Sequence, residues 1–152
     1  MKVSVELIPI DEEEEAQFKI HAMSDNVTKA MHLLTFSDKE TRYLLGKIEE
    51  KYYKINVDDI FYIESVERKV FAYAKKQTFE LSDKLYVLEE QLRFFNFVRI
   101  TKSMLLNVDK IYSFYPKLSG NLEAHLINNE KVMISRRYVS SLKRKLGMGD
   151  NE

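Results

Sequence analysis

The segment VRITKSMLLN, Val98–Asn107, has two short apolar runs on either side of a polar turn. The apolar runs predict two short strands, and Thr101, Lys102 and Ser103 form the predicted turn between them. Another cation, Arg99, lies in the first of these strands. The segment therefore predicts a short β-hairpin that presents cations and two hydroxyl groups near its tip.

Similar short runs of β-branched and aromatic residues lie on both sides of this hairpin. Five runs come before it, from residue 42 to residue 81, with turn residues at 49–51, 67–68 and 75–77. Three more runs follow, between residues 111 and 134, and polar turn residues separate them. Strands this short, with turn residues between them, predict a mainly β domain.

Two helices are expected inside this β-rich region. Apolar residues recur at helical spacing over residues 85–95, and Ser82 and Asp83 are candidate caps for that helix. A last helix should be capped by Ser135 and end at Gly147. Strands and helices do not alternate regularly, so a parallel nucleotide-binding sheet is not predicted. The expected fold class is mainly β with α, an elongated multi-stranded fold with one internal and one C-terminal helix.

The N-terminal part of the chain has a different pattern. Residues 2–8 and 17–21 predict two strands, and Ser24 is a candidate cap for an amphipathic helix that ends near Phe36. A strand–strand–helix segment of this size is too short for a receiver domain, which needs roughly 100 residues. No phosphorylation input is therefore expected within this chain.

These patterns predict three parts of the chain. The N-terminal segment covers residues 1–40, the β-rich domain covers residues 41–147, and residues 148–152 form a tail. No apolar run approaches the roughly 18 residues that a membrane-spanning helix needs. Acidic residues at Glu12–Glu15 exclude a signal peptide there, and the chain has no cysteine. We therefore expect a cytoplasmic protein.

The formal net charge of zero hides a segregation of charge along the chain. Residues 1–50 contain 6 Lys and Arg against 11 Asp and Glu, whereas residues 99–152 contain 10 against 5. A basic C-terminal part indicates an anionic partner. Chance clustering of charges on solvated faces is the alternative interpretation.

No motif or residue spacing typical of an enzyme is present in the sequence. His21, His32 and His125 each lack a second ligand at metal-binding spacing, and no nucleophile motif is present. Four glycines do not form a phosphate-binding loop. We therefore expect no enzymatic activity, no cofactor, no metal site and no small-molecule substrate.

Arg136 and Arg137 are predicted in the first turn of the last helix. Cations there oppose the helix dipole, which favours anions by about 0.3–1 kcal/mol each. Such an unfavourable arrangement is typical of a functional site, and free backbone N–H groups at a helix start bind phosphate. In the alternative interpretation, one arginine pairs with Glu130 or Glu64.

Two predicted turns offer further cations. Lys102, between two hydroxyl residues, suits contacts with phosphate or with a base edge, although an ordinary solvated turn is the alternative. Arg68 and Lys69 lie at the tip of the hairpin formed by the runs DIFYIESV and KVFAYA. Basic residues on loops of a rigid β scaffold are a plausible means of entering a DNA groove.

Three segments, VDDIFYIESVERKVFAY, FVRITKSMLLNVDKI and VMISRRYVSSLKRKL, occur in this order and resemble the LytTR DNA-binding domain of bacterial transcriptional regulators. The resemblance covers residues 41–146. It implies an elongated β fold whose loops enter successive major grooves of double-stranded DNA. By position, it assigns DNA contacts to the turn at Arg68 and Lys69, to Lys102, and to Arg137 with Arg136 beside it. Many family members have His-Arg-Ser where this chain has Thr101-Lys102-Ser103, so base readout at this turn is expected to differ.

The resemblance also implies partners. Family members commonly bind paired repeats, so a homodimer on DNA is expected. The N-terminal segment resembles that of stand-alone LytTR regulators, which implies regulation by a small membrane protein. The resulting prediction is a sequence-specific transcriptional regulator with DNA-binding residues at 68, 69, 99, 101–103, 136 and 137. A rival class is an adaptor whose basic loops bind an acidic protein.

Overall fold

The computed structural model describes residues 1–35 and 43–148. The chain divides into two units, Met1–Ser37 and Asp38–Glu152. The first unit contains one helix among its described residues, α1 (Asp25–Thr35). The Ser24 side chain accepts a hydrogen bond from the backbone N–H of Val27 at 3.3 Å, which confirms the predicted cap of α1.

The described part of the second unit contains ten strands and two α-helices. The helices are α2 (Leu85–Gln91) and α3 (Val139–Lys145). The strands are β1 (Tyr43–Ile48), β2 (Lys51–Asn56), β3 (Ile60–Val66), β4 (Lys69–Ala74), β5 (Thr78–Leu81), β6 (Phe97–Thr101), β7 (Met104–Asn107), β8 (Ile111–Pro116), β9 (Leu122–Leu126) and β10 (Lys131–Ile134).

These strands form two antiparallel sheets. The larger sheet has the order β2-β1-β5-β4-β3-β7-β6, and the smaller has the order β10-β9-β8. In the larger sheet β3 pairs with β7, which places two hairpins that are distant in sequence side by side. This pairing brings the turn between β3 and β4 to the same end of the sheet as the turn between β6 and β7, because β3 ends where β7 begins.

Buried and exposed side chains alternate along the strands of the larger sheet, and the buried ones contribute to two apolar clusters. On β4, Val70 and Ala72 are buried in the first cluster, together with Leu85 and Leu88 of α2. The second cluster lies between part of the larger sheet, the smaller sheet and α3, and it includes Ile100 and Leu142. The second cluster therefore fixes α3 and the segment before it to the end of β6.

The predicted mainly β architecture with an internal helix and a C-terminal helix is confirmed. The three predicted turns at 49–51, 67–68 and 75–77 connect β1 to β2, β3 to β4, and β4 to β5. Gly147 has a φ of 76° and ends α3, with N–H groups at 147 and 148 bonded to the carbonyls of Arg144 and Lys143.

Two predictions for the N-terminal segment are wrong. Residues 2–8 and 17–21 form no strand, and none occurs anywhere in described residues 1–35. Val3, Val5 and Leu7 are more than 80% exposed, so their alternation has no sheet to pack against. An apolar–polar alternation does not form a strand without a neighbouring ladder of hydrogen bonds.

The predicted caps of the two helices in the second unit also differ from the structure. Lys84 occupies the position before α2 and makes no side-chain cap bond, so neither Ser82 nor Asp83 is the cap. Ser135 precedes a 3₁₀ turn over Arg136–Tyr138, and its side chain makes no cap bond either. The two arginines therefore lie in this tighter turn and not in the first turn of an α-helix, which removes the predicted conflict with the α-helix dipole.

Candidate nucleic-acid interface

Hydrogen bonds bring the three predicted DNA-binding loops to one end of the second unit. The backbone N–H of Ser65, beside the β3–β4 turn, donates to the carbonyl of Ser103 at 2.8 Å. The backbone N–H of Ser135, directly after β10, donates to the carbonyl of Ile100 at 2.9 Å. We call this group of turns (residues 67–69, 101–103 and 135–137) the basic edge.

The β6–β7 turn presents Lys102 to solvent. The Thr101 hydroxyl accepts the backbone N–H of Ser103 at 3.1 Å, which closes the turn. The Lys102 side chain is exposed, and no carboxylate of the described residues pairs with it. Thr101 and Ser103 thus shape the turn, while the Lys102 ammonium is available for a phosphate or a base edge.

Arg99 has a different environment from Lys102. Its Nε donates to Oε2 of Glu89 on α2 at 2.6 Å, and its Nη1 donates to the carbonyl of Lys102 at 2.5 Å. The Arg99 side chain is 19% exposed. The guanidinium is therefore engaged with the protein on two sides, and a direct contact of Arg99 with DNA stays a prediction.

The β3–β4 turn holds Arg68 in an unusual backbone conformation. Glu67 and Arg68 have φ values of 49° and 69°, the left-handed region that Asn and Gly normally occupy in two-residue hairpin turns. Arg68 is exposed without an ion pair among the described residues, while Lys69 lies 3.9 Å from Glu80. A long cationic side chain is thus held at a position that favours glycine, as happens at functional sites.

Substitutions that suit this backbone conformation should stabilise the fold but weaken DNA binding. Joint replacement of Glu67→Asn and Arg68→Gly should raise the free energy of unfolding by about 1 kcal/mol, because both new residues tolerate positive φ. The same variant should bind DNA more weakly, because it lacks the Arg68 cation. Urea denaturation and a binding titration measure the two effects.

Glu67→Asn alone is the matched control for that variant, because it retains Arg68. It should gain part of the stability and keep the affinity for DNA. A joint variant that is less stable than the wild type would contradict the assignment of backbone strain to this turn.

The third part of the basic edge is the 3₁₀ turn that carries Arg136 and Arg137. Both side chains are exposed, and the Arg137 guanidinium lies 5.8 Å from the ring centre of Tyr138. No carboxylate of the described residues pairs with either arginine. Glu130, one of the two candidate partners, instead accepts a hydrogen bond from the Tyr62 hydroxyl at 2.8 Å.

The β8–β9 connection supports Arg136, a role that the sequence analysis missed. Oδ1 of Asn121 accepts the backbone N–H of Arg136 at 2.9 Å. A Cβ atom at Gly120, where φ is 82°, would lie 2.7 Å from Cδ of Arg136. The pairing of a Gly-Asn turn with a distant arginine is a tertiary contact, so only the turn itself could be predicted from the sequence.

Polar contacts between β8 and β9 lie at the base of this connection. Hydrogen bonds with Tyr115 and His125 lower the pKa of Glu123 to about 2, and Lys117 lies 3.7 Å from the same carboxylate. Glu123 is therefore ionised at neutral pH. Glu123 balances the positive charge of Lys117, which therefore differs from the cations of the basic edge that have no ion pair among the described residues.

The described residues outside the basic edge were also compared with the features of metal sites and of perturbed titratable groups. No group of three or more His, Asp or Glu residues that could hold a metal ion occurs within described residues 1–35 and 43–148. Burial raises the pKa of Tyr62 above its ordinary value, but this hydroxyl is already bonded to Glu130. Across the part of the chain that is described, no helix combines the length and apolar character needed to cross a membrane.

The mainly β unit coincides with the match to a family of DNA-binding domains. The sequence matches the LytTr DNA-binding domain family over residues 50–147, and the chain belongs to that family. The fold resembles the LytTr DNA-binding domain of a Bacillus cereus response regulator, with a TM-score of 0.66 and 23% identity, covering 70% of this chain and 98% of that one.

Two relatives from Staphylococcus aureus, strains NCTC 8325 and COL, are each 33% identical over 138 residues. The match covers 90% of this chain and 92% of each relative. Both are named as uncharacterized HTH-type transcriptional regulators. In this chain, strands separate α1, α2 and α3, so the described residues contain no helix-turn-helix.

Proposed function

We propose that this protein is a transcriptional regulator that binds specific sequences of double-stranded DNA through the basic edge. The observation that carries the proposal is the meeting of three separate turns at one end of the fold, each with at least one unpaired cation among the described residues. Membership of the LytTr DNA-binding domain family supports the same ligand. The names of the S. aureus relatives support the regulatory role.

The eight predicted site residues take different roles in this proposal. Arg68, Lys102 and Arg137 reach base edges or phosphates in successive major grooves, since their side chains are exposed and form no ion pair with a described residue. Lys69 and Arg136 add positive charge beside them. The other three residues belong to the β6–β7 hairpin, and they are Arg99, Thr101 and Ser103.

The proposal extends to the organisation of the whole chain. Residues 41–147 bind DNA, residues 1–40 dimerise or bind a partner, and residues 148–152 are a tail. Two copies bind paired repeats as a homodimer. The protein acts in the cytoplasm without enzymatic activity or a small-molecule substrate, and a small membrane protein regulates it.

The adaptor hypothesis uses the same basic edge for an acidic protein. Both ligands respond to salt, but DNA has a dense and regular row of phosphates that releases bound counterions. Binding to a specific duplex should therefore survive an excess of unrelated DNA. Loss of all binding in such competition, with retention of an acidic protein partner, would favour the adaptor.

Replacement of Lys102 by alanine tests the phosphate contact directly. The slope of log affinity against log salt should fall by about one unit, and affinity should drop at low salt. The measurement is an anisotropy titration at several salt concentrations, using the duplex that the wild type enriches most from a randomised pool.

Lys76→Ala is the matched control for Lys102→Ala, because Lys76 lies in the β4–β5 turn at the other end of β4. It removes the same charge from a site distant from the basic edge, and its salt slope should stay near that of the wild type. An unchanged slope in the Lys102 variant would remove Lys102 from the phosphate contacts.

A further inference from the structure

The bonds of Arg99 connect a helix to the DNA-facing turn. Glu89 is on α2, which packs on the first apolar cluster through Leu85 and Leu88. Arg99 bonds to the Glu89 carboxylate on one side and to the backbone carbonyl of Lys102 on the other. The position of the Lys102 backbone is thus linked, through one guanidinium, to a helix anchored in the core.

The strand that carries Arg99 is irregular at this point. The register between β6 and β7 shifts between Arg99 and Thr101, with Arg99 opposite Leu105 and Thr101 opposite Met104. Such a bulge bends a strand and changes the direction of its side chains. The ladder beside the Lys102 turn is therefore irregular, and the bond from Arg99 adds a constraint to those from the Thr101–Met104 pair and the Ser65–Ser103 hydrogen bond.

We propose that Glu89 and Arg99 are positioning residues that hold the Lys102 turn in the conformation that reads DNA. The inference rests on the proposed function and deepens it. It assigns part of the recognition of the DNA sequence to the Glu89–Arg99 ion pair, whose charges face each other and not the DNA. Arg99 then acts through Lys102, and Glu89 acts through Arg99.

Removal of the Glu89 carboxylate should have opposite effects on overall affinity for DNA and on preference for the specific duplex. A negative charge repels phosphates, so Glu89→Ala should raise affinity for any duplex. The loss of the Arg99 bond should loosen the Lys102 turn and lower the preference for the specific duplex. A residue with only an electrostatic role would show the first effect without the second.

Glu90→Ala is a matched control for Glu89→Ala, because Glu90 is the next residue on α2 and pairs with Arg93 at 3.7 Å. The probes are the duplex most enriched by the wild type and a scrambled duplex of the same length. The ratio of the two affinities should fall about tenfold in Glu89→Ala and stay unchanged in Glu90→Ala. Equal ratios in the two variants would overturn the inference.

A double-mutant cycle of Arg99→Ala and Lys102→Ala tests the connection between the two side chains. If Arg99 acts through Lys102, the double variant should lose no more preference than Lys102→Ala alone. The inference would be overturned if the two single losses of preference multiply in the double variant and Arg99→Ala also reduces the salt slope. Arg99 would then contact DNA independently of Lys102.

Arg99→Lys serves if the alanine variant does not fold. Lysine keeps the charge but lacks the planar fork that makes two diverging bonds, so preference should remain reduced. Restoration of the wild-type preference by lysine would contradict the positioning role. If the wild type shows no preference for any duplex, the proposed function is overturned as well. If the wild type prefers the specific duplex but the effects of Arg99→Ala and Lys102→Ala on that preference are independent, only this inference is overturned.

Discussion

Replacement of Leu142 by alanine is expected to lower the free energy of unfolding by about 2–5 kcal/mol. Leu142 is fully buried at the centre of α3, in the second apolar cluster. A helix of 7 residues is not stable alone, so α3 depends on this packing. Because the turn with Arg136 and Arg137 directly precedes α3, the same variant should also weaken DNA binding.

Urea denaturation followed by circular dichroism measures this effect through the midpoint, provided that the slope is unchanged. Leu142→Met is the control, since it preserves most of the side-chain volume and should cost less than about 1.5 kcal/mol. A loss below about 1 kcal/mol in Leu142→Ala would mean that α3 is not held by this side chain.

Replacement of Arg137 by alanine is expected to weaken binding to the specific duplex by about 1–3 kcal/mol, or roughly 5–150-fold. Arg137 is exposed and has no carboxylate partner among the described residues, so its planar guanidinium can form two bonds with a guanine edge. Its loss should reduce discrimination between base pairs at one position of the site. Anisotropy titrations with single-base variants of the duplex measure this.

Arg144→Ala is the matched control for Arg137→Ala. Arg144 is an exposed arginine near the far end of α3, where Lys145 bonds to the Arg93 carbonyl of the segment after α2. The control removes the same charge and should preserve base discrimination. Equal losses in both variants would assign the effect of Arg137 to net charge and remove it from base readout.

The local pattern of the sequence predicted most of the second unit because its strands are short and bounded by turn residues. The Glu67–Arg68 turn was correctly predicted although Glu and Arg rarely adopt the positive φ of such a turn. The runs on both sides of it have a clear strand pattern and pair in the sheet. The N-terminal strands failed because pairing is not a local property: Val3 and Val5 have the right pattern and no partner strand within the described residues.

The resemblance assigned DNA contacts to all three turns, but the residue patterns alone could not show how the turns meet. Their meeting depends on the pairing of β3 with β7, which are separated by more than 35 residues, and on the packing of α3. The Arg99–Glu89 pair was missed for the same reason, because the charge pattern alone does not distinguish a cation that faces DNA from one that holds a turn.

A gel shift with the DNA upstream of this protein's own gene, in excess unrelated competitor, tests the basic edge most directly. The wild type and a triple variant with alanine at Arg68, Lys102 and Arg137 would be compared at equal folding by circular dichroism. We expect a specific shifted band with the wild type and none with the triple variant. A wild type without a band at any salt concentration, or a triple variant that shifts the DNA equally well, would contradict DNA recognition by the basic edge.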